Sequence, residues 1–286
     1  MRKKITKSKN PLISIIVASF NSVNTLARAI ESVLSQTYSN KELIIIDGGS
    51  KDGTVDVLKR FNGNISYWCS EPDKGIYNAW NKALDYTKGD WILFLGADDY
   101  LWANDVLKSI APQLIKACLE FRVVYGKVNV VREDGTVLET LNDPWDQANK
   151  RFQHLMAYGW HQGVFHDRSL FDLYGKFDES FQIIGDYEFL LRELKDHDAA
   201  FIDDVVVAGM QYGGVSSDPL KALSMHKEVQ RARLKNGIKK ISFYLLWIRM
   251  LLLIRVIVQA VFGDLTAGVL SDLYRVITGK PRIYTK

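Results

Sequence analysis

The chain lacks both glycine-rich phosphate signatures. No Gly-x-Gly-x-x-Gly follows the first apolar run, which ends at Val17, and no Gly-x-x-x-x-Gly-Lys-Ser/Thr occurs anywhere. Dinucleotide hydride transfer and P-loop chemistry are therefore unsupported. Cysteine is scarce, with only Cys69 and Cys118 in 286 residues. Two distant thiols make neither a disulfide framework nor a metal-ligand spacing, and a reducing compartment is expected. Acid is scarce in the last quarter, where thirteen Lys and Arg face three acids from Lys221 to Lys286, a net of +10. The remainder carries a net of −6. That asymmetry suggests an acidic-site body and a basic tail that meets something anionic, phospholipid or nucleic acid. A secretory signal is also missing, because the basic start MRKKITKSKN is followed at Pro11 by a run of only strand length. A cytoplasmic protein is expected. With 47% hydrophobic and 24% charged residues the chain is ordinary globular material, long enough for a full core.

What is present is a repeating grammar. Residues 13–17, 42–46, 65–69 and 91–95 are apolar runs suited to buried parallel strands. Between them apolar residues recur at helical spacing. Leu26, Ala29, Ile30, Val33 and Leu34 follow candidate caps Asn21 or Ser22, a second helix opens at Asp52-Gly53, and Ile76, Ala79, Trp80, Ala83 and Leu84 mark a third. Strand, turn and helix in alternation predict a parallel sheet with right-handed crossovers. Polar residues cluster at the strand ends, at Ser19-Phe20-Asn21, Asp47, Asp73-Lys74 and Asp98-Asp99. Ligands of open α/β sheets sit at that edge. The adjacent carboxylates Asp98 and Asp99 are hard oxygen donors suited to Mg²⁺ or Mn²⁺ carrying a diphosphate; the alternative is a helix cap beside a solvated Asp. Further on, Val106, Leu107, Ile110, Leu114 and Ile115 mark a helix, residues 121–131 a strand, and Glu133-Asp134-Gly135 a hairpin turn. Residues 142–153, with Pro144 and Trp145, read as a polar loop that covers a sugar.

The runs SIIVASFN, ESVLSQTYSNKELIIIDGGSKDGT, SEPDKGIYNAWNKAL and GDWILFLGADD, in this order, resemble the inverting glycosyltransferase family 2 over residues 12–210. The resemblance implies the GT-A fold, an α/β architecture with a central, mostly parallel sheet flanked by helices. It divides the chain into a basic tail (1–10), a catalytic domain (11–220, with a nucleotide-sugar half to residue 100) and a helical membrane-associating appendage (221–286). It implies that Ala18 and Phe20 flank the base, and that Asp47, Gly48 and Asp73 lie near uracil or ribose. Asn81 and Ala97 fall on the same donor side, and Asp98 becomes the metal ligand with Asp99 beside it. Gly96 stands where the commonest motif, Asp-Ala-Asp-Asp, has its first Asp. Lys74 takes over the positive charge that an arginine of the third helix supplies in many relatives. Residues 160–165 and 177–192 resemble the acceptor half, with Asp186 as catalytic base and Trp160, His161 and Trp145 towards the acceptor.

Plainer readings stand beside these. Asp186 can cap its helix, and His161 can be a packed histidine. Trp80, Trp91 and Tyr77 lie on core stripes, and Glu188 suits the first turn of a helix. In the tail, residues 241–262 approach membrane-spanning length, but Arg249 and Arg255 interrupt them and Lys235, Lys239 and Lys240 precede them. A helix lying in the interface of an anionic membrane fits, with residues 265–277 as a second. A hairpin packed on the catalytic domain, or a homo-oligomer contact, is the alternative. Aliphatic rather than aromatic spacing between the basic residues argues against nucleic acid. The expected activity is metal-dependent transfer from a UDP-sugar to a glycan hydroxyl, lipid-linked, at the inner face of the cell membrane. Its rival is a nucleotide-sugar-binding or regulatory protein with weak turnover.

Overall fold

The first apolar run becomes β1 (Ile13–Ser19), buried along nearly its whole length. In the computed structural model, described for residues 9–154, 161–213, 219–239, 243–279, 282, 284 and 285, it is followed by α1 (Leu26–Leu34), β2 (Lys41–Asp47), α2 (Thr54–Arg60) and β3 (Tyr67–Ser70). Then come α3 (Ile76–Leu84), β4 (Trp91–Gly96), the short β5 (Tyr100–Leu101) and α4 (Val106–Ala117). The second half runs β6 (Val123–Val131), β7 (Val137–Leu141), α5 (Trp145–His154), a 3-10 turn His161–Gly163, β8 (Val164–Asp167) and α6 (Ser169–Tyr174). It ends with α7 (Gly185–Leu194), β9 (Ala200–Gln211), α8 (Pro219–Lys235) and α9 (Phe243–Ile277).

The strands form one sheet in the order β3-β2-β1-β4-β8-β6-β9-β5, with β7 paired to β6 as the predicted hairpin. β3, β2, β1 and β4 are parallel; β8 enters against the direction of β4, and β6 and β9 resume it. Successive strand residues face opposite layers, as the pleat requires. Ile16, Ile44, Ile46, Ile92 and Phe94 join α3, α7 and α8 in one core; Ile15, Val17, Ile45, Leu93 and Leu95 join α1, α2 and α4 in the other. This two-layer cover explains why the strands are continuously apolar.

Three expectations are revised. Residues 145–154 form helix α5, whose first turn uses the Pro144 carbonyl as acceptor for the N–H groups of Gln147 and Ala148. Helix α1 begins at Leu26 rather than after Asn21 or Ser22; Asn21 takes a left-handed φ of 48° and Ser22 supplies a carbonyl to the first turn. A boundary at 221 falls inside α8, which buries Val229 and Ala232 in the catalytic core, so the appendage proper is α9. That helix is broken at Gly263 (φ 82°).

Candidate active site

The ends of β1, β2 and β4 are level, with Ser19 opposite Asp47 and Ala18 opposite Gly96. Asp47 is fully buried and consumed by the protein. Its carboxylate accepts hydrogen bonds from the hydroxyls of Ser19 (3.0 Å), Ser50 (2.5 Å) and Ser70 (2.6 Å) and from the N–H groups of Gly49 (3.1 Å) and Ser50 (2.9 Å). Both of its oxygens brace the turn that follows β2. Asn21 completes the brace, donating its N–H to the Ser50 hydroxyl and accepting from the Lys51 N–H. On this shelf Phe20 is 64% exposed, a large aromatic left facing solvent. A Cβ at Gly48 would lie 2.8 Å from Asp73 Oδ2 and 3.2 Å from the Phe20 ring, so Phe20, Gly48 and Asp73 bound one narrow space. Lys74 is exposed at its mouth, and its ammonium has no ion pair among the described residues.

At the end of β4 the two carboxylates differ. Asp98 is half-buried, and its carbonyl accepts a hydrogen bond from Arg28 at 2.6 Å. Asp99 is 3% exposed and accepts from the Gln211 N–H at 2.9 Å. Burial, with the neighbouring Asp98 charge second, pushes its pKa up to about 7. Asp99 therefore turns inward, its carboxylate engaged by the Gln211 N–H and the Gln162 side chain. A Cβ at Gly96 would sit 2.5 Å from Asp99 Oδ2 and 2.8 Å from Asp98 Oδ1, so the two aspartates occupy the space a carboxylate at that position would need. Ala97 is buried in the core beneath, its side chain off the donor side.

Asp186 lies in the first turn of α7, but the cap position is Ile184, and the Asp186 carboxylate faces side chains. Its Oδ1 lies 3.2 Å from the Tyr77 hydroxyl and its Oδ2 lies 3.3 Å from His161 Nδ1. Burial lowers the His161 pKa against the opposing pull of Asp186 and Asp98. His161 Nδ1 thus faces the Asp186 carboxylate at 3.3 Å. Its ring rests 5.5 Å from Trp80. Asp98, at the end of β4, also pulls the His161 pKa upward, behind Asp186.

Other expected residues lie elsewhere. Asn81 is buried and used up between α3 and the acceptor segment, donating to Phe177 O (3.0 Å) and Glu179 Oε1 (2.8 Å) and accepting from the Phe177 N–H (2.9 Å). Trp145 donates its indole N–H to Asp198 (2.6 Å) and meets Tyr125 edge-on, so it is packed rather than presented to a sugar. Trp160 lies outside the described residues. Glu188 is fully buried in ion pairs with Arg192 and Lys235, and those groups border a separate 430 Å³ polar cavity whose charges are matched internally.

Several contributors carried no sequence signal. Arg28 reaches from α1 to the Asp98 carbonyl, to Gln211 Oε1 (3.1 Å) and over the Tyr100 ring (4.6 Å). Gln162 hydrogen-bonds Asp99, and its Oε1 is buried without a partner. Glu228 of α8 accepts three backbone N–H groups, from Gln182 (2.9 Å), Ile183 (3.0 Å) and Ile184 (3.1 Å), directly before the residues that carry Asp186. Only Glu228 left a trace, as one of three acids in an otherwise basic tail.

The structure thus combines a mixed α/β sheet, carboxylates at its strand ends and an aspartate, Asp186, held by Tyr77 and His161. The glycosyl transferase family 2 model matches residues 14–171, and the chain belongs to that family of enzymes. It is 30% identical over 213 residues to the PGL/p-HBAD biosynthesis glycosyltransferase of Mycobacterium tuberculosis, covering 72% of this chain and 80% of that one. It is 29% identical over 241 residues to the Escherichia coli UDP-Glc:alpha-D-GlcNAc-diphosphoundecaprenol beta-1,3-glucosyltransferase WfgD, covering 83% and 92%. The fold matches mannosyltransferase PcManGT from Pyrobaculum calidifontis, solved with GDP-Man and Mn²⁺, at a TM-score of 0.59 and 16% identity over 97% of this chain and 84% of that one.

Proposed function

We propose that this glycosyltransferase moves a hexose or uronic acid from a UDP-sugar, with inversion, to a hydroxyl of a lipid-linked glycan at the inner face of the cell membrane, in surface polysaccharide assembly. The observation that carries the reading is the shared reach of His161, 3.3 Å from Asp186 and within the field of Asp98. Similarity to WfgD, whose donor is UDP-Glc and whose acceptor is diphosphoundecaprenol-linked, supports the donor and acceptor classes.

In this reading Phe20 stacks on the base and Asp73 meets the uridine across Gly48. Lys74 faces the diphosphate. A divalent cation fits as a guest shared with the substrate. Among the described residues no three His, Cys, Asp or Glu side chains gather into a protein-only cage. One half-buried carboxylate, Asp98, beside the orphaned oxygen of Gln162 suits Mg²⁺ or Mn²⁺, which take phosphate and water for their remaining ligands. Held by Asp98, such a cation would supply charge neutralisation for the leaving diphosphate. Asp186, oriented by Tyr77 and His161, accepts the acceptor hydroxyl proton as that oxygen bonds to the anomeric carbon and the bond to the diphosphate breaks. His161, 3.3 Å from Asp186 Oδ2, fixes the orientation of that carboxylate.

The test is nucleotide release from UDP-glucose with Mn²⁺ or Mg²⁺. Asp98→Ala and Asp186→Asn are each expected to lower it by at least about a hundredfold. A protein that gains thermal stability from UDP-sugars yet releases no UDP would be the binding or regulatory module instead.

A further inference from the structure

The outer surface of α9 is apolar and, among the described residues, uncovered. Leu253, Ile257, Val261, Phe262, Leu265 and Ile277 are 45% to 76% exposed, and contiguous apolar surface of this kind on a soluble body marks an interaction site. The break at Gly263 turns the chain back on itself. Arg249, before the break, lies in the field of His226 of α8, and Arg275, after it, pairs with Glu139 of β7 at 2.8 Å. Arg255 stacks on Tyr284 at 4.1 Å, while Asp272 accepts the Tyr284 N–H at 3.0 Å. Arg255 and Asp272 lie at nearly equal distances along the chain on either side of Gly263, so both limbs close on one residue, as in an antiparallel hairpin.

This geometry decides between spanning and seating. The limb after Gly263, residues 264–277, is about 21 Å long, and a span needs about 30 Å. The limb before it carries Arg249 and Arg255, which are costly at a bilayer centre. Both far ends are tied to the catalytic body, so the chain leaves and returns on one side. Exposed Lys239, Arg249 and Arg282 lie before, within and after the hairpin in the chain, and among the described residues from 239 onward the exposed acid is Asp264. The surface is apolar at its tip and basic at its margins.

We propose that the hairpin is a one-sided anchor that seats Val261, Phe262 and Leu265 in the headgroup boundary of an anionic bilayer leaflet. It deepens the lipid-linked acceptor reading and rests on that reading for its purpose; the binding itself needs neither donor nor acceptor. The experiment is flotation of the full chain with phosphatidylcholine vesicles with and without phosphatidylglycerol, donor hydrolysis being measured in parallel on the same samples. Flotation with the anionic vesicles is expected, weakened by salt. Val261→Asp with Phe262→Asp is expected to reduce vesicle affinity on the order of a hundredfold while donor hydrolysis is unchanged. Absence of flotation, flotation insensitive to the double substitution, or a stable dimer that this substitution dissociates would each overturn the anchor. Intact flotation with no donor hydrolysis would instead overturn the transferase reading and leave the anchor standing.

Discussion

Glu228 offers the sharpest test of how Asp186, the proposed base, is held. Three consecutive N–H groups converge on one carboxylate at 2.9 to 3.1 Å, and Asp186 follows two residues after the last of them. Each hydrogen bond to a charged acceptor contributes about 1.5–3 kcal/mol, but Glu228 is half-buried and water replaces part of what is lost. Glu228→Ala should therefore cost about 3 kcal/mol rather than the full sum, a fall in Tm of about 5–10 °C. Glu228→Gln keeps an oxygen for the pair Ile183 and Ile184 and loses the bond from Gln182, so about 1 kcal/mol is expected. Because the segment also places the Ile183 carbonyl under the Tyr77 hydroxyl (2.8 Å), loosening it misdirects both the base and its partner. At temperatures where the variants remain folded, kcat for transfer should fall about tenfold to a hundredfold in Glu228→Ala. The donor KM should stay near wild type, since Phe20, Gly48 and Asp73 belong to other elements. Thermal unfolding and steady-state kinetics measure both effects. A folded Glu228→Ala with wild-type kcat would refute the positioning argument, and a proportional rise in donor KM would show general loosening.

Four further outcomes follow. Gly48→Ala forces its Cβ against Asp73 and Phe20, and should raise the donor KM about tenfold with little change in kcat, read from donor titrations. Gly96→Asp, which restores the commonest motif on paper, should lower activity and leave the metal requirement no tighter, because its Cβ would meet Asp98 and Asp99 oxygens already in place. Arg28→Lys should fail to rescue what Arg28→Met loses, since the guanidinium joins Asp98 O, Gln211 and the Tyr100 ring at once; the readout is the Mn²⁺ concentration for half-maximal rate. Burial lowers the His166 pKa from 6.5 to about 4, so the unfolded chain binds the extra proton between those pH values. That stability is complete above pH 6.5 and is lost as pH falls towards 4, about 3 kcal/mol in all; urea unfolding across the window should show it, and His166→Gln should remove it.

The parallel half of the fold was legible because its strands are covered on both faces, so burial alone writes them as apolar runs. The reversed β8 was not, since four residues pairing β4 with β6 are chosen by tertiary neighbours rather than by a local pattern. Helix α5 was missed for a related reason. Of its described side chains, residues 145–150, Ala148 alone is buried in the core, and Pro144 reads as a breaker although it also begins helices. At the site, residue type marked where chemistry gathers but not which atoms stay free. Asp47 and Asn81 are polar, well placed and wholly consumed by their neighbours, whereas Asp98 and Asp73 keep oxygens to offer. Counting hydrogen bonds separates these cases, and a sequence does not contain that count.

The charge of the tail shows the same distinction between composition and availability. A net of +10 from Lys221 onward suggests a uniformly basic surface. Much of it is spent inside the protein. Lys235 pairs with Asp178 and Glu188, Arg231 stacks on Phe181 at 3.8 Å and donates to the Ser180 carbonyl, and Arg275 pairs with Glu139. Each of these contacts ties α8 or α9 to the catalytic body, and those of α8 fall on residues 178–188, the stretch that bears Asp186. Among the described residues, Lys221 and Lys227 on α8 and Lys239, Arg249 and Arg282 near the apolar hairpin stay outward. Positive charge in this chain thus does two jobs divided by position. In α8 it ties the helix to residues 178–188, the stretch that bears Asp186, and around α9 it stays at the surface beside the apolar hairpin.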